Sequence, residues 1–421
     1  EGHIKALDKD VAAFYGDLLP ILRSADIAAV NLECALVDED LPPIIKDGPT
    51  LKAPERCVAG LGAVPFQLAC LANNHTFDYG LAGLRRTKQV LADAGVRSIG
   101  AGDSFDQAIQ PEVATFGKTR VAILNVAEGE EGRIDHGRGG VAPLDMEQLP
   151  RRIELLRPQV DVLIIIVHAG CEYVPIPSLE TRRKYRQLID IGADLVIGHH
   201  PHVPQGIEQY KHGMIAYSLG NFAFYMGGPL QYAQVGYCVH VTYHDSYMRC
   251  LKIIPYEIRP DSLQVLSGAR RSAFLSDLAA LSALIGDDAR LGALWQAYAD
   301  AWFVREGMSE LARSLALIGD ARLMVRVLLS AQLRRYHTNS LFHRIIRRMV
   351  WFLIHWLARH HPQLPDCTEE TRHGAAVLRN RFDTSAHREI YRLALARMMD
   401  GTAGQTQEWA RHMLAVWGVG E

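Results

Sequence analysis

The sequence has almost no net charge, no long hydrophobic run and no paired cysteines. Its 45 basic and 47 acidic side chains leave a formal charge of −2, so no overall field attracts nucleic acid or an anionic membrane. No apolar stretch approaches the roughly 20 residues that a membrane-spanning helix needs, and no segment has the pattern of a secretory signal. We therefore expect a soluble, cytoplasmic protein without a nucleic-acid partner. An N-terminal anchor outside this chain would instead place it at the membrane or the cell surface.

The seven cysteines are scattered along the chain, and none belongs to a Cys-x-x-Cys pair. This distribution argues against a disulfide framework and against a zinc ribbon. With 48% hydrophobic and 22% charged residues among 421, the composition is that of an ordinary globular protein. The length suffices for one large domain and a smaller one.

Strands and helices are predicted to alternate over the first 260 residues. Apolar runs predict strands at residues 26–33, 66–72, 96–99, 121–126, 161–167, 193–197, 214–222 and 236–243. Helical spacing of apolar residues predicts helices at 9–23, 54–61, 81–94, 146–156 and 178–191. Because most strand runs are continuously apolar, we expect sheets that are buried on both faces. The fold class is therefore α/β, with layered sheets and helices.

The residue pattern changes after Pro260. Patterns typical of strands end there, and apolar residues at helical spacing follow from Leu275 to Trp417. We predict an α/β domain over residues 1–260 and an all-helical C-terminal region over residues 261–421.

Two segments have more than one interpretation. The spacing of apolar residues over 340–359 predicts a helix. We favour a helix packed in the core, with Arg344, Arg347 and Arg348 at its solvent-exposed edge, over a helix that lies on a membrane or a partner. The Gly-rich segment from Glu128 to Gly140 is interpreted as a lid over a site or as a plain insertion.

Chemically unusual side chains follow three of the predicted strands. The three clusters are Asn74, His75 and Asp78; His168 and Glu172; and His199, His200 and His202. In an α/β sheet the carboxyl ends of strands converge on one crevice, so these clusters are expected to meet. Any one histidine is most often structural, but three clusters at three strand ends favour a buried transition-metal site.

Six motifs occur in a fixed order along the chain. They are Asn31-Leu-Glu33, Ala72-Asn-Asn-His-Thr-Phe-Asp-Tyr-Gly80, Gly100-Ala-Gly102, His168-Ala-Gly-Cys-Glu-Tyr173, Gly198-His-His-Pro-His-Val203 with Gln205-Gly-Ile-Glu208, and Tyr217-Ser-Leu-Gly-Asn-Phe222. Together they resemble the CapA family of bacterial capsule and poly-γ-glutamate synthesis proteins. The resemblance covers roughly residues 20–260. It implies a four-layer αββα sandwich similar to the calcineurin-like metallophosphoesterases, and a site for two divalent metal ions, manganese, iron or zinc.

The resemblance also implies roles for individual residues. The implied metal ligands are Glu33, Asn74, His168, His200 and His202, with His199 beside them. His75, next to Asp78, matches a proton donor. The residues implied to line the substrate pocket are Glu172, Tyr173, Ser218 and Asn221.

The chain departs from the family pattern at its start. The family opens with a strand that ends in Gly-Asp, whose carboxylate binds a metal, whereas the Gly16-Asp17 pair here lies inside a helical pattern. We treat that pair as unrelated to the site. Either the first strand lies outside this chain, or the protein binds one metal fewer.

Three functions remain open at this point. The leading hypothesis is a metal-dependent enzyme with hydrolase-type chemistry on a phosphoryl, peptide-like or poly-γ-glutamate-like substrate, associated with capsule or polymer biosynthesis. The second is a cytosolic, metal-dependent peptide epimerase resembling the lasso-peptide epimerases. The third is a non-catalytic, metal-stabilised scaffold of a capsule-assembly complex, whose helical tail binds partners or forms a homodimer.

Overall fold

A computed structural model describes residues 2–38, 40–46, 48–64, 66–128, 139–225, 231–244, 246–302, 389–390, 393–394, 397, 402 and 404–419. The chain divides into two compact units. The first contains residues 1–44 and 50–292, and the second contains residues 45–49 and 293–421. The domain limit predicted at residue 260 stays a prediction.

The elements are numbered in chain order. The strands are β1 (Ala29–Asn31), β2 (Ala35–Leu36), β3 (Lys52–Ala53), β4 (Leu68–Cys70), β5 (Arg97–Ile99), β6 (Ala101–Gly102), β7 (Glu112–Phe116), β8 (Thr119–Ala127), β9 (Gly140–Val141), β10 (Val162–His168), β11 (Leu195–His199), β12 (Ile207–Tyr210), β13 (Gly213–Ala216), β14 (Val235–His244), β15 (Tyr247–Ile258) and β16 (Leu263–Val265). The helices are α1 (Gly2–Lys9), α2 (Val11–Tyr15), α3 (Leu18–Arg23), α4 (Val58–Ala63), α5 (Gly80–Asp93), α6 (Phe105–Ala108), α7 (Leu149–Leu156), α8 (Leu179–Asp190), α9 (Gly268–Gly286), α10 (Asp288–Trp302) and α11 (Glu408–Val416).

Two sheets form the centre of the first unit. The smaller has the order β1-β4-β5 and is parallel throughout. The larger has the order β12-β13-β11-β10-β8-β7, with four parallel strands in the middle and an antiparallel strand at each edge. The sheets pack face to face through a shared apolar cluster that contains Leu68, Cys70, Ile99, Val121, Ile123, Val162 and Ile166.

Helices cover the outer faces of both sheets. On strand β10, Leu163, Ile165 and Val167 point away from the smaller sheet and pack with residues of α7 and α8. Helix α5 contributes Leu84 and Leu91 to the apolar cluster on the outer face of the smaller sheet. The alternation along β10 explains why this strand is apolar at every position, since each of its faces meets a different layer. The αββα sandwich predicted from the sequence is confirmed.

The first unit contains a third sheet, with the strand order β14-β15-β16. Its strands are antiparallel, and its residues Tyr256, Ile258 and Leu263 pack with Phe14 and Leu18 of the N-terminal helices. The short helices α2 and α3 are therefore held by tertiary packing, because isolated helices of this length are unstable in water.

The predicted single helix over residues 9–23 is wrong. It is broken into α2 and α3 at Gly16, which has a φ of +49° and ends α2. Only glycine adopts this backbone region without strain. The apolar spacing continues on both sides of Gly16, which is why the sequence predicted one helix instead of two.

Eight of the described strands escaped the sequence prediction. Four of them, β2, β3, β6 and β9, have only two residues, and the four longer ones are β7, β12, β15 and β16. All four pair antiparallel with a neighbour, and β7 and β12 are edge strands with partly exposed residues. Such strands lack the continuous apolar run on which the prediction depended. The expectation that strand patterns end at Pro260 is also wrong, because β16 begins at Leu263.

In the second unit, residues 293–302, 389–390, 393–394, 397 and 408–416 are helical. Arg397 makes a two-pronged ion pair with Asp300, with both N–O distances at 2.8 Å, and the backbone N–H of Gly404 donates to the same carboxylate. Most of the predicted helical tail, including residues 340–359, lies outside the described residues, as do residues 129–138 of the predicted lid. None of the helices in the described part of the chain combines the length and the apolar character that crossing a bilayer requires.

Gly198, in β11, has no room for a side chain. A Cβ added there would lie 2.0 Å from the backbone oxygen of Tyr217. Tyr217 directly follows β13, and its N–H is hydrogen-bonded to Gly206 O, so this backbone cannot easily move aside. We predict that Gly198→Ala lowers the free energy of unfolding in urea by about 3 kcal/mol. The control is Gly62→Ala in α4, where an added Cβ meets nothing within 4 Å and should stabilise the protein by about 0.5 kcal/mol. Equal stabilities for the two variants would contradict the packing described here.

Candidate metal centre

The carboxyl ends of four parallel strands meet at one edge of the sandwich. In the smaller sheet Asn31, the last residue of β1, is aligned with Cys70, the last residue of β4. In the larger sheet His168 ends β10 directly beside His199, which ends β11. The loops that follow these four strands carry the polar residues singled out in the sequence, so the three predicted clusters do come together.

Glu33 lies at the centre of this edge. One carboxylate oxygen, Oε2, accepts a hydrogen bond from the side chain of Asn31 at 3.1 Å. The other, Oε1, is buried and has no hydrogen-bond partner. It lies 3.4 Å from Nε2 of His168 and 3.6 Å from Nε2 of His202. A buried oxygen left without a donor is costly in a folded protein, and here two imidazole nitrogens, a kind of atom that binds metals well, lie within 3.6 Å of it.

His168 is the most crowded of the imidazoles. Its Nε2 lies 2.9 Å from Oδ1 of Asn74 and 3.1 Å from Nδ1 of His200. Burial lowers the pKa of His168 to about 3, although the carboxylate of Glu33 opposes that shift. The ring is therefore neutral at pH 7, and a neutral imidazole is the form that binds a metal ion.

The spacing of these atoms fits a divalent cation. Ligand atoms that bind one ion at about 2.1 Å stand roughly 3.0–3.4 Å from one another. Two sets of histidine and carboxylate atoms are compact enough to share an ion, each within 4.8 Å: Glu33, His168 and His200; and Glu172, His200 and His202. Imidazole and carboxylate donors suit manganese, iron and zinc. Such an ion would give Oε1 of Glu33, which has no hydrogen-bond partner, a positive charge to bind.

The loop that carries His200 and His202 has a strained backbone. His200 has a φ of +98° and His202 a φ of +59°, a region that residues other than glycine rarely occupy. Each such residue costs on the order of 1–3 kcal/mol. Pro201 lies between them, and the carbonyl of Pro201 accepts from the N–H of Tyr173, itself at a φ of +60°. With this backbone conformation, the two rings lie among the donor atoms of the sets described above.

His75 and Asp78 form a buried pair beside the ligand atoms. Nδ1 of His75 lies 2.7 Å from Oδ2 of Asp78, and the same oxygen accepts from the N–H of Leu51 at 2.6 Å. Asp78 is fully buried and His75 is 6% exposed. The carboxylate holds the imidazole in one orientation, which is what a proton-transferring histidine requires.

The remaining predicted site residues occupy different positions. The ring of Tyr173 stacks on that of His202, with centroids 5.7 Å apart, and Glu172 Oε1 lies 4.0 Å from Nε2 of His202. Asn221 contacts the other nitrogen of His202. Ser218, in contrast, is fully buried and its hydroxyl binds the backbone of Val203 and Gly220.

His199 belongs to neither of the two compact donor sets. It is the last residue of β11, and its carbonyl accepts from the N–H of Ala169. Burial lowers its pKa to about 4, so it too is neutral at pH 7. The contribution of His199 to a metal site stays a prediction.

Two asparagines that sequence reasoning missed hold the loop of Asn74 in place. The Asn73 amide donates to Leu32 O at 2.8 Å, and its oxygen accepts from the N–H groups of His75 and Thr76. Asn125, near the end of β8, accepts from Ala72 N–H across the sheet interface at 2.7 Å. A polar residue inside the apolar run of residues 121–126 was the available signal for Asn125.

This fold and this site define the class: an α/β protein with an αββα sandwich, in which histidines and a carboxylate gather at the strand ends. A family model described as bacterial capsule synthesis protein PGA_cap matches residues 2–226, more than half of the chain. The chain belongs to that family, as the six motifs predicted.

Several curated proteins are similar to this chain. The capsule biosynthesis protein CapA of Bacillus anthracis is 29% identical over 260 residues, 59% of this chain and 62% of that protein. The PGA biosynthesis protein CapA of Bacillus subtilis strain 168 is 31% identical over 217 residues, 49% of this chain and 56% of that protein. A probable polyglutamine synthesis accessory protein of Mycobacterium tuberculosis is 28% identical over 226 residues, 49% of this chain and 58% of that protein. The chain thus spans about 60% of the length of these relatives.

Metal binding should be visible as a change in stability. We expect Mn²⁺, added to chelator-treated protein, to raise the melting temperature, because an ion at 100 times its Kd adds about 2.7 kcal/mol to the free energy of unfolding. His168→Ala should abolish the rise, whereas His212→Ala, at an exposed histidine, should retain it. Differential scanning fluorimetry measures both. A full response in the His168 variant would contradict the assignment.

Proposed function

We propose that this chain is a metal-dependent enzyme of capsule or poly-γ-glutamate synthesis, with hydrolase-type chemistry on a phosphoryl or peptide-like substrate. Glu33, Asn74, His168, His200 and His202 would hold divalent metal, either manganese, iron or zinc. A divalent ion in such a site acts as a Lewis acid on a substrate oxygen and lowers the pKa of bound water.

The observation that carries this proposal is the environment of Glu33 Oε1. This atom is buried without a hydrogen-bond donor and faces imidazole nitrogens of His168 and His202 at 3.4 and 3.6 Å. An ionised carboxylate in such surroundings costs several kcal/mol unless a positive charge pairs with it. Because the nearby His168 is neutral at pH 7, a bound cation would supply a positive charge that supports this arrangement.

His75 is the residue that we assign to proton transfer. Asp78 binds Nδ1 of its ring, so a proton exchanged with a substrate would travel through Nε2. Asp78 is fixed in turn by the N–H of Leu51, which keeps the imidazole from rotating. His75 would therefore donate a proton to a leaving group, or take one from a substrate, without moving its ring.

A peptide-like substrate is supported by the residues around His202. Tyr173 stacks on the His202 ring, and the partly exposed Phe224 lies 6.1 Å from it between centroids. Aromatic faces of this kind bind amide planes and apolar side chains. The same environment supports the second candidate, a peptide epimerase, in which His75 would move the α-proton of a bound residue.

The proposal is tested with two substrates. With Mn²⁺ present, we expect the protein to hydrolyse bis(p-nitrophenyl) phosphate, and we expect His75→Gln to lower kcat about 10²- to 10⁴-fold with unchanged metal content by mass spectrometry. His212→Gln is the matched control, since that histidine is exposed, and should keep wild-type activity.

A peptide incubated in D₂O separates the alternatives. Deuterium uptake at an α-carbon without cleavage would replace the hydrolase by the epimerase. Metal-loaded protein that neither hydrolyses the phosphodiester nor exchanges the α-proton would contradict both enzymatic readings. That result would favour a metal-stabilised scaffold, a role consistent with the word accessory in the name of the mycobacterial relative.

A further inference from the structure

Asn221 contacts the ring of His202 at the nitrogen that faces away from Glu33. Oδ1 of Asn221 lies 2.9 Å from Nδ1 of His202, while Nε2 of the same ring faces the carboxylates of Glu33 at 3.6 Å and Glu172 at 4.0 Å. Asn221 is 5% exposed, so a substrate has almost no surface of this residue to contact.

The orientation of the Asn221 amide follows from its second partner. Its Nδ2 donates to the backbone oxygen of Ala233 at 3.1 Å. A carbonyl oxygen only accepts, so the NH₂ group must face Ala233 and the amide oxygen must face His202. That oxygen also only accepts, which requires the proton of His202 to be on Nδ1. In the neutral ring the lone pair is therefore on Nε2, the nitrogen that faces the carboxylates.

We infer that Asn221 is a positioning residue for the metal centre, which fixes His202 in the tautomer that presents its Nε2 lone pair to a divalent cation. This inference rests on the proposed metal-dependent function. It replaces the substrate-binding role that the resemblance implied for Asn221. Hydrogen bonds to the distal nitrogen of a ligand histidine set its tautomer and its ring orientation in this way.

The backbone of Asn221 is itself clamped by the third sheet. The hydroxyl of Tyr256, in β15, donates to the backbone oxygen of Asn221 at 2.7 Å. A Cβ at Gly236, in β14, would lie 2.3 Å from that oxygen, so the close approach depends on glycine. The third sheet thus contributes to the metal centre through Asn221 while it supplies none of the histidines and carboxylates described there.

Two measurements test the inference. In the metal-free protein labelled with ¹⁵N-histidine, long-range ¹H–¹⁵N spectra report which nitrogen carries the proton, and His202→Gln identifies the signal. We expect His202 to be protonated on Nδ1 in the wild type and to show a mixture of tautomers in Asn221→Leu. By calorimetry, we expect Asn221→Leu to bind Mn²⁺ about 10- to 100-fold more weakly than the wild type.

Matched variants separate positioning from loss of stability. Asn221→Asp keeps an acceptor for Nδ1–H and should restore both the tautomer and most of the affinity. Gln67→Leu removes another side-chain amide, one that accepts from Ala28 N–H at 2.6 Å at the opposite end of β4, and should leave Mn²⁺ affinity unchanged.

The outcomes distinguish this inference from the proposed function. Wild-type affinity in Asn221→Leu, or a wild-type His202 protonated on Nε2, would overturn the positioning role. If the wild type binds no Mn²⁺ at all, the proposed function fails instead, and the tautomer measurement alone decides the role of Asn221.

Discussion

A carboxylate that leaves water must be paired with a positive charge or with hydrogen-bond donors. Glu33 satisfies this rule on one oxygen only, through Asn31. The other oxygen faces imidazole nitrogens, and the lowered pKa of His168 keeps that ring neutral at pH 7. The cation that we propose at this point would give a common reason for the strained His200–His202 loop, the Asn73 and Asn74 loop, and the Asn221 contact.

The sandwich turns residues that are far apart in the sequence into neighbours. Glu33 follows β1 and Asn74 follows β4 in one sheet, whereas His168 and His200 follow β10 and β11 in the other. The two sheets are joined by apolar contacts and by the hydrogen bond between Ala72 and Asn125. The site therefore depends on the packing of the two sheets as much as on its own side chains. Variants that disturb this interface should affect stability and metal binding together.

Much of this architecture could be predicted from the residues alone. Continuous apolar runs predicted the buried parallel strands, and the polar clusters after them predicted where the site would form. Antiparallel strands such as β7 and β15 were missed, because partly exposed strands leave a weaker pattern than buried ones. The break at Gly16 was missed because apolar periodicity continues on both sides of it.

Within the site, the identities of the ligand candidates were accessible from the sequence but their partners were not. Nothing in the order of residues relates Asn221 to His202 rather than to a substrate, since their contact depends on a turn held by Tyr256 and Gly236. Ser218 stands in the same motif, yet its hydroxyl binds backbone atoms. A sequence motif therefore indicates which segment lies near the site, whereas the packing of that segment determines which of its side chains face the site.

The central claim is that Glu33, His168 and His200 surround a divalent cation. The most direct measurement is the anomalous scattering of a crystal grown with Mn²⁺, recorded at an energy where manganese contributes strongly. We expect a peak in contact with Oε1 of Glu33, with Nε2 of His168 and with a ring nitrogen of His200. A map with no peak at this position in crystals grown at millimolar Mn²⁺ would contradict it.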